Sequence, residues 1–209
     1  MLSRSGRPLA HIFFGPIARA CVKLGIGANT ITVVGTVLTI ASSLYFFPRN
    51  QLLIGTLVVT ILVIFDNLDG QVARLTNTAS TWGAFLDSTM DRFADAAIFA
   101  SFVAWGYTSA SEPTRNWVMT GALAALIFGS IVPYARARAE GVGMSASVGI
   151  AERADRLVFA GVCVLLVGFG LSHWIMAVGM WILALLSFIT VIQRMHVVYQ
   201  QCKLAPNNQ

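Results

Sequence analysis

Charged residues are scarce in this chain of 209 residues: 11% are Asp, Glu, Lys or Arg, whereas soluble globular domains carry roughly 25%. Hydrophobic residues make up 56%, and the mean hydropathy is +0.74. This composition excludes a water-soluble enzyme and a disordered chain. No block of Lys and Arg interleaved with aromatic residues occurs, so the net charge of +5 does not indicate a nucleic-acid partner.

Cysteine is also rare. Cys21, Cys163 and Cys202 lie far apart, odd in number and without a CxxC pair, which predicts free thiols rather than disulfides or a zinc site. The first 30 residues contain four basic residues and no acid, but Gly15-Pro16 breaks their apolar runs, so they do not fit a cleaved signal peptide.

Apolar stretches of the length that crosses a bilayer fill most of the chain. Six transmembrane helices are predicted, at about residues 30–47, 51–75, 82–106, 116–139, 154–171 and 173–198. Residues 1–28 show apolar side chains at helical spacing and are predicted to form an amphipathic surface helix, interrupted near Pro16. A disordered basic tail is the alternative for this segment. The predicted fold is an all-α integral membrane protein with one membrane domain, residues 1–209.

The distribution of basic residues predicts the orientation. On one side of the predicted membrane the loops and ends carry Arg4, Arg7, Arg19, Lys23, Arg74, Arg136, Arg138, Arg153, Arg156, Arg194 and Lys203. The other side carries Arg49 and Arg115. The positive-inside rule therefore places both termini in the cytosol.

Only nine acidic residues occur, and five of them fall within thirty positions of otherwise apolar sequence. They are Asp66, Asp69, Asp87, Asp91 and Asp95. Ionisable side chains inside membrane helices are costly and by default indicate function. The first two are three residues apart and the next two four apart, so each pair is predicted to share a helix face.

The two pairs are predicted to meet at one depth, because the second span runs towards the cytosol and the third runs away from it. Four carboxylates in a pocket of low dielectric could not all ionise unaided. All-oxygen ligands favour Mg²⁺, Mn²⁺ or Ca²⁺ over zinc, and two carboxylate-bound magnesium ions often serve phosphoryl transfer. The alternative, ion pairs with Arg74 and Arg92, leaves two or three carboxylates uncompensated.

The acidic residues belong to a longer pattern with eight specified positions. These are Asp66, Asp69, Gly70, Ala73, Arg74, Gly83, Asp87 and Asp91. The pattern resembles the signature of the CDP-alcohol phosphotransferases, integral membrane enzymes that join a CDP-linked alcohol to a second alcohol and release CMP. The family shares the six-span layout with a surface N-terminal helix.

The resemblance implies roles for individual residues. Asp66, Asp69 and Asp87 would hold a first metal, and Asp69, Asp87 and Asp91 a second, with two Mg²⁺ per site and Mn²⁺ possible as a substitute. Asp91 would be the general base that takes the proton of the attacking alcohol.

CDP-diacylglycerol would be bound by six positions that match the family: Asn29, Thr32, Asp69, Gly70, Arg74 and Ser80. From the sequence alone, Asn29, Thr32 and Ser80 could equally be helix caps or interfacial polar residues. Helix packing is the alternative role for Gly70 and Gly83.

Three arginines, Arg136, Arg153 and Arg194, are predicted on the same side of the membrane as the aspartates, and guanidinium groups match phosphate oxygens. Positive-inside topology with snorkelling is their other explanation. Their segments are similar to actinobacterial phosphatidylinositol phosphate synthases, although Arg136 stands where that subfamily commonly has Lys.

The resemblance implies transfer of the phosphatidyl group of CDP-diacylglycerol to 1D-myo-inositol 3-phosphate in the cell membrane, with a cytosolic active site and membrane lipids around a homodimer. A phosphatidylglycerophosphate synthase is the nearest alternative. A divalent-cation transporter is the alternative from another class, but the outward halves of the second and third spans are nearly all apolar.

Overall fold

The fold is helical throughout the part of the chain that the structure, a computed structural model, describes: residues 7–150 and 152–204, with side chains from residue 15 on. No β-strand occurs in these ranges. The described ranges contain eight α-helices: α1 (Arg7–Lys23), α2 (Ala28–Phe46), α3 (Leu52–Asp66), α4 (Leu68–Leu75), α5 (Thr81–Ser109), α6 (Thr114–Gly141), α7 (Arg153–Gly168) and α8 (Trp174–Leu204). A 3-10 turn, Phe47–Arg49, follows α2.

Four helical segments in the described ranges are long and apolar enough to cross a membrane by length and composition. They are Ala28–Arg49, Leu52–Leu75, Thr114–Gly141 and Trp174–Leu204. The six-span prediction has two further helices, α5 and α7. The helix α5 is 29 residues long but carries four charged side chains between Asp87 and Asp95, in its first half. Helix α7 has 16 residues, fewer than the roughly 20 that a span needs.

The second predicted span, residues 51–75, is interrupted at Asn67. Helix α3 ends at Asp66 and α4 begins at Leu68. The Asn67 side-chain amide donates a hydrogen bond to the Ile64 carbonyl at 3.2 Å. The sequence predicts Asp66 and Asp69 on a single helix. In the structure Asp66 is the last residue of α3 and Asp69 lies in the first turn of α4.

Helix α1 continues through Pro16, where the sequence predicts an interruption. Proline removes one backbone donor, but its φ is compatible with a helix, so a helix supported by packing can continue through it. That packing is present, because Ala18 lies fully buried against Leu68 and Val72, with Cys21 beside them. Helix α1 thus rests on α4, the short helix that carries Asp69.

The contacts divide the chain into two compact units. The first contains the described residues up to Ser43 together with Leu57–Ala97. The second contains Leu44–Thr56 together with the described residues from Ile98 on.

In the second unit α8 packs against both α6 and α7. Small residues allow the close approach: a Cβ at Gly121 would lie 2.9 Å from the Trp181 ring, and one at Gly179 would lie 2.5 Å from the Cys163 sulfur. Aromatic side chains fill the remaining space between α6 and α8, where Phe128 and Phe188 have ring centroids 5.2 Å apart.

Candidate metal and nucleotide site

Three carboxylates converge in the first unit. Asp66 is the last residue of α3, Asp69 lies in the first turn of α4, and Asp87 lies in α5. One oxygen of each lies within 4.8 Å of the other two. All three side chains are largely shielded from solvent, so their mutual repulsion is weakly screened. Such a group of oxygen donors is suited to hold a hard divalent cation.

Asp69 is the most firmly oriented member of this group. The Thr32 hydroxyl of α2 donates a hydrogen bond to Asp69 Oδ2 at 2.5 Å, and the Gly70 N–H donates to Asp69 Oδ1 at 2.5 Å. Asp69 is buried, with 9% of its surface exposed to solvent. Each carboxylate oxygen has a second lone pair, so both hydrogen bonds are compatible with binding a cation. Thr32, predicted as a nucleotide contact, has an observed role as a partner of Asp69.

Gly70 and Arg74 lie one turn apart on α4. A Cβ at Gly70 would lie 3.6 Å from Arg74 Nη1, which places the guanidinium beside the bare backbone of the glycine. Arg74 is exposed. The pair therefore places an accessible positive charge beside a residue without a side chain, an arrangement suited to binding phosphate oxygens.

Asn29 and Ser80 meet at Gly83. A Cβ at Gly83 would lie 3.3 Å from Ser80 Oγ and 3.5 Å from Asn29 Oδ1. The Ser80 hydroxyl accepts a hydrogen bond from the Gly83 N–H at 3.0 Å, which makes Ser80 the N-cap of α5. The sequence had left the cap and the nucleotide contact as alternatives for Ser80, and the cap is observed. Both polar side chains are exposed.

Asp91 lies one turn beyond Asp87 on α5 and is not a member of the three-carboxylate group. One of its oxygens pairs with Arg92 Nη2 at 3.5 Å. The general-base role and the second-metal role of Asp91 stay predictions.

The three arginines predicted to bind the acceptor lie in the second unit, in different environments. Arg136 is exposed and its Nε donates to Glu140 Oε1 at 2.9 Å. Arg153 is half-buried and is the first residue of α7. Arg194 is 5% exposed. Its Nε donates to the Val148 carbonyl at 2.9 Å and its Nη1 to the Val132 carbonyl at 2.5 Å.

Arg194 also lies among charged groups, because Arg136, Glu140 and Glu152 all act on it electrostatically. Its backbone contacts use two of the five N–H donors of a guanidinium. Sequence reasoning missed these anchors, since a backbone carbonyl leaves no signal in the residue pattern.

Comparison with known proteins identifies the family. The family model for CDP-alcohol phosphatidyltransferase matches residues 26–186, which include the three carboxylates, Thr32 and Arg74. The chain belongs to the CDP-alcohol phosphatidyltransferase family. The family prediction made from the eight-position pattern is confirmed.

Similar curated members of the family are named phosphatidylinositol phosphate synthases. The protein of Streptomyces avermitilis is 37% identical over 200 residues, covering 93% of this chain and 81% of that protein. The protein of Cutibacterium acnes is 37% identical over 195 residues, covering 90% of this chain and 93% of that protein.

Solved structures of the Mycobacterium tuberculosis phosphatidylinositol phosphate synthase have the same fold. The structure in complex with manganese and citrate has a TM-score of 0.83 at 34% identity, covering 89% of this chain and 88% of that one. The structure with CDP-DAG bound has a TM-score of 0.82 at 34% identity, covering 89% and 93%.

Proposed function

We propose that this CDP-alcohol phosphatidyltransferase is a phosphatidylinositol phosphate synthase, which transfers the phosphatidyl group of CDP-diacylglycerol to 1D-myo-inositol 3-phosphate and releases CMP. The observation that carries the proposal is the convergence of Asp66, Asp69 and Asp87 within the segment matched by the family model. The relatives that bear this name, one of them solved with CDP-DAG bound, support the choice of substrates.

The carboxylate group fits a divalent metal, because it offers oxygen donors alone and Asp69 is already oriented by Thr32 and Gly70. Asp66, Asp69 and Asp87 would hold Mg²⁺ or Mn²⁺, and the manganese of the solved relative supports this. A divalent cation bound there would offset negative charge on the pyrophosphate. A second ion held by Asp69, Asp87 and Asp91 is part of the proposal.

The nucleotide end of CDP-diacylglycerol would bind across α4 and the start of α5. Arg74 would donate to pyrophosphate oxygens over the bare backbone of Gly70. Asn29 and Ser80, both exposed beside Gly83, offer hydrogen-bonding groups for the nucleotide.

The reaction would be a direct displacement. The acceptor hydroxyl oxygen attacks the β-phosphorus and forms the new O–P bond, while the bond from that phosphorus to the bridging oxygen breaks and CMP leaves. Asp91 would take the proton of the attacking hydroxyl. Arg136, Arg153 and Arg194 would bind the phosphate of the acceptor, since their guanidinium groups match its oxygens.

We further propose the predicted membrane arrangement: one membrane domain with six spans, in which α5 and α7 cross beside the four more apolar segments. The acids of α5 would face protein rather than lipid. Helix α1 would lie on the membrane surface, both termini and the active site would be cytosolic, and the protein would form a homodimer in the cell membrane.

Release of CMP by the purified full-length protein tests this function. We expect turnover with CDP-diacylglycerol, Mg²⁺ and 1D-myo-inositol 3-phosphate, and little with glycerol 3-phosphate or free inositol. A preference for glycerol 3-phosphate would keep the chemistry and reject the acceptor. A preference for free inositol would reject the role of the three arginines.

A further inference from the structure

The segment between α6 and α7 is held on α8 by polar contacts that the proposed reaction does not explain. Gly143, two residues after the end of α6, has φ of +76°: its N–H donates to the Glu140 carbonyl at 3.0 Å, and the Met144 N–H donates to the Ala139 carbonyl at 2.9 Å. This is a Schellman motif, in which glycine takes the left-handed conformation. The chain then leaves α6 as residues 145–150, which we call the strap.

The strap begins with a two-bond clamp. The Ser145 N–H donates to Gln201 Oε1 at 2.9 Å, and Gln201 Nε2 donates back to the Ser145 carbonyl at 2.5 Å. The side-chain amide of Gln201 thus pairs with both the backbone N–H and the backbone carbonyl of Ser145. Gln201 lies in the last turn of α8 and is half-buried.

The strap ends against the same stripe of α8. Arg194 Nε donates to the Val148 carbonyl. A Cβ at Gly149 would overlap Thr190 Cγ2, and φ of Gly149 is +140°, a conformation suited to glycine. Arg194 lies four residues after Thr190, and Gln201 lies seven residues after Arg194. The three residues therefore share one face of α8.

The lengths agree with an extended strap. From Thr190 to Gln201 the axis of α8 rises about 16 Å, and four residues of extended chain span about 14 Å. The strap therefore follows this face of α8 in the opposite direction to the helix.

Apolar packing contributes little to holding the strap. Its buried side chain is Ala146, at 1% exposure, while Ser145, Ser147, Val148 and Ile150 are exposed. An open groove of about 710 Å³ is lined by the strap residues from Val148 on and by side chains of α8. The position of the strap therefore depends on its polar contacts.

We infer that Gln201 is a positioning residue for the acceptor phosphate: it fixes the strap, so that the Val148 carbonyl orients the guanidinium of Arg194. Arg194 is buried and anchored by two carbonyls, one on α6 and one on the strap. Without the clamp at Ser145 the strap can move, and the Val148 carbonyl moves with it. The Arg194 guanidinium then loses this acceptor and can rotate away from its phosphate-binding orientation. This inference rests on the proposed role of Arg194 in binding a phosphorylated acceptor.

The test compares Gln201→Leu with Gln200→Leu, the same substitution at the adjacent exposed residue, whose amide lies 3.4 Å from His196. In Gln201→Leu we expect the KM for inositol phosphate to rise about tenfold, as the loss of two hydrogen bonds allows. The kcat and the KM for CDP-diacylglycerol should stay within about twofold. Gln201→Glu keeps the acceptor for the Ser145 N–H and should give an intermediate KM, while Gln200→Leu should match the wild type.

Hydrogen–deuterium exchange of peptides from the strap provides the second readout. Faster exchange at Ser145 in Gln201→Leu alone supports the clamp. An unchanged acceptor KM, an equal rise in the KM for CDP-diacylglycerol, or unchanged exchange at Ser145 overturns the inference. Failure of the proposed function is a separate result, seen as wild-type turnover with glycerol 3-phosphate only; the KM comparison is then made with that acceptor and judged in the same way.

Discussion

Replacing Thr32 by Val tests whether the orientation of Asp69 limits catalysis. The two side chains have nearly the same shape, so the substitution removes the hydrogen bond from Thr32 Oγ1 to Asp69 Oδ2 and leaves the packing of α2 almost unchanged. A hydrogen bond to a charged group contributes about 1.5–3 kcal/mol. Turnover should therefore fall roughly ten- to a hundredfold.

The assay measures CMP release at several Mg²⁺ and Mn²⁺ concentrations. Because Asp69 is a proposed metal ligand, Thr32→Val should need more metal for half-maximal activity, and Thr32→Ser, which keeps the hydroxyl, should restore most of the loss.

Thr39→Val is the matched control, since Thr39 is 3% exposed on the same helix and its hydroxyl donates to the Gly35 carbonyl of its own helix. Equal losses in Thr32→Val and Thr39→Val would refute the reasoning, because the cost would then belong to any buried threonine of α2. A raised KM for CDP-diacylglycerol with unchanged metal dependence would instead assign Thr32 to the nucleotide.

Two further predictions concern α5. Asp91→Asn should abolish turnover while CDP-diacylglycerol still binds in an equilibrium assay, because the amide cannot take a proton from the acceptor; near-normal turnover would contradict the general-base role. Ser80→Ala should lower stability by about 1 kcal/mol through loss of the N-cap, measured by thermal unfolding, and Ser80→Asn should restore it; if stability stays unchanged in Ser80→Ala, the hydrogen bond to the Gly83 N–H does not stabilise α5.

The positions of the acids were predictable because their energetic cost is visible in the sequence. A carboxylate in an apolar helix must recover its desolvation energy, so Asp66, Asp69 and Asp87 stand out by residue type, and the structure brings them together. The break at Asn67 was not predictable, since asparagine is tolerated inside helices and no Pro or Gly marks the position. The break places Asp66 and Asp69 on different helices, but both carboxylates still lie in the three-carboxylate group.

The limits of the predicted spans agree with the helices to within about three residues, except that α8 continues to Leu204, beyond the predicted end at residue 198. The membrane role of two helices was not decided by composition. The helix α5 (Thr81–Ser109) agrees with the predicted span 82–106, yet the aspartates for which we propose a role at the metal site also lower its hydropathy. A charged helix can cross a bilayer only when other helices shield its charges. Whether such a helix crosses the membrane therefore depends on tertiary packing, which the residue pattern of one helix does not reveal.

The residues of the proposed acceptor site also divide into those that the sequence reveals and those that it does not. Arg136, Arg153 and Arg194 are visible in sequence because cations are few and match phosphate. The anchors of Arg194 are two backbone carbonyls, and Gln201 binds a peptide group near a helix end, where a glutamine costs little and is common. Charged groups can be found from the sequence. The neutral groups that orient them are found only from the structure, which brings the strap and α8 into contact.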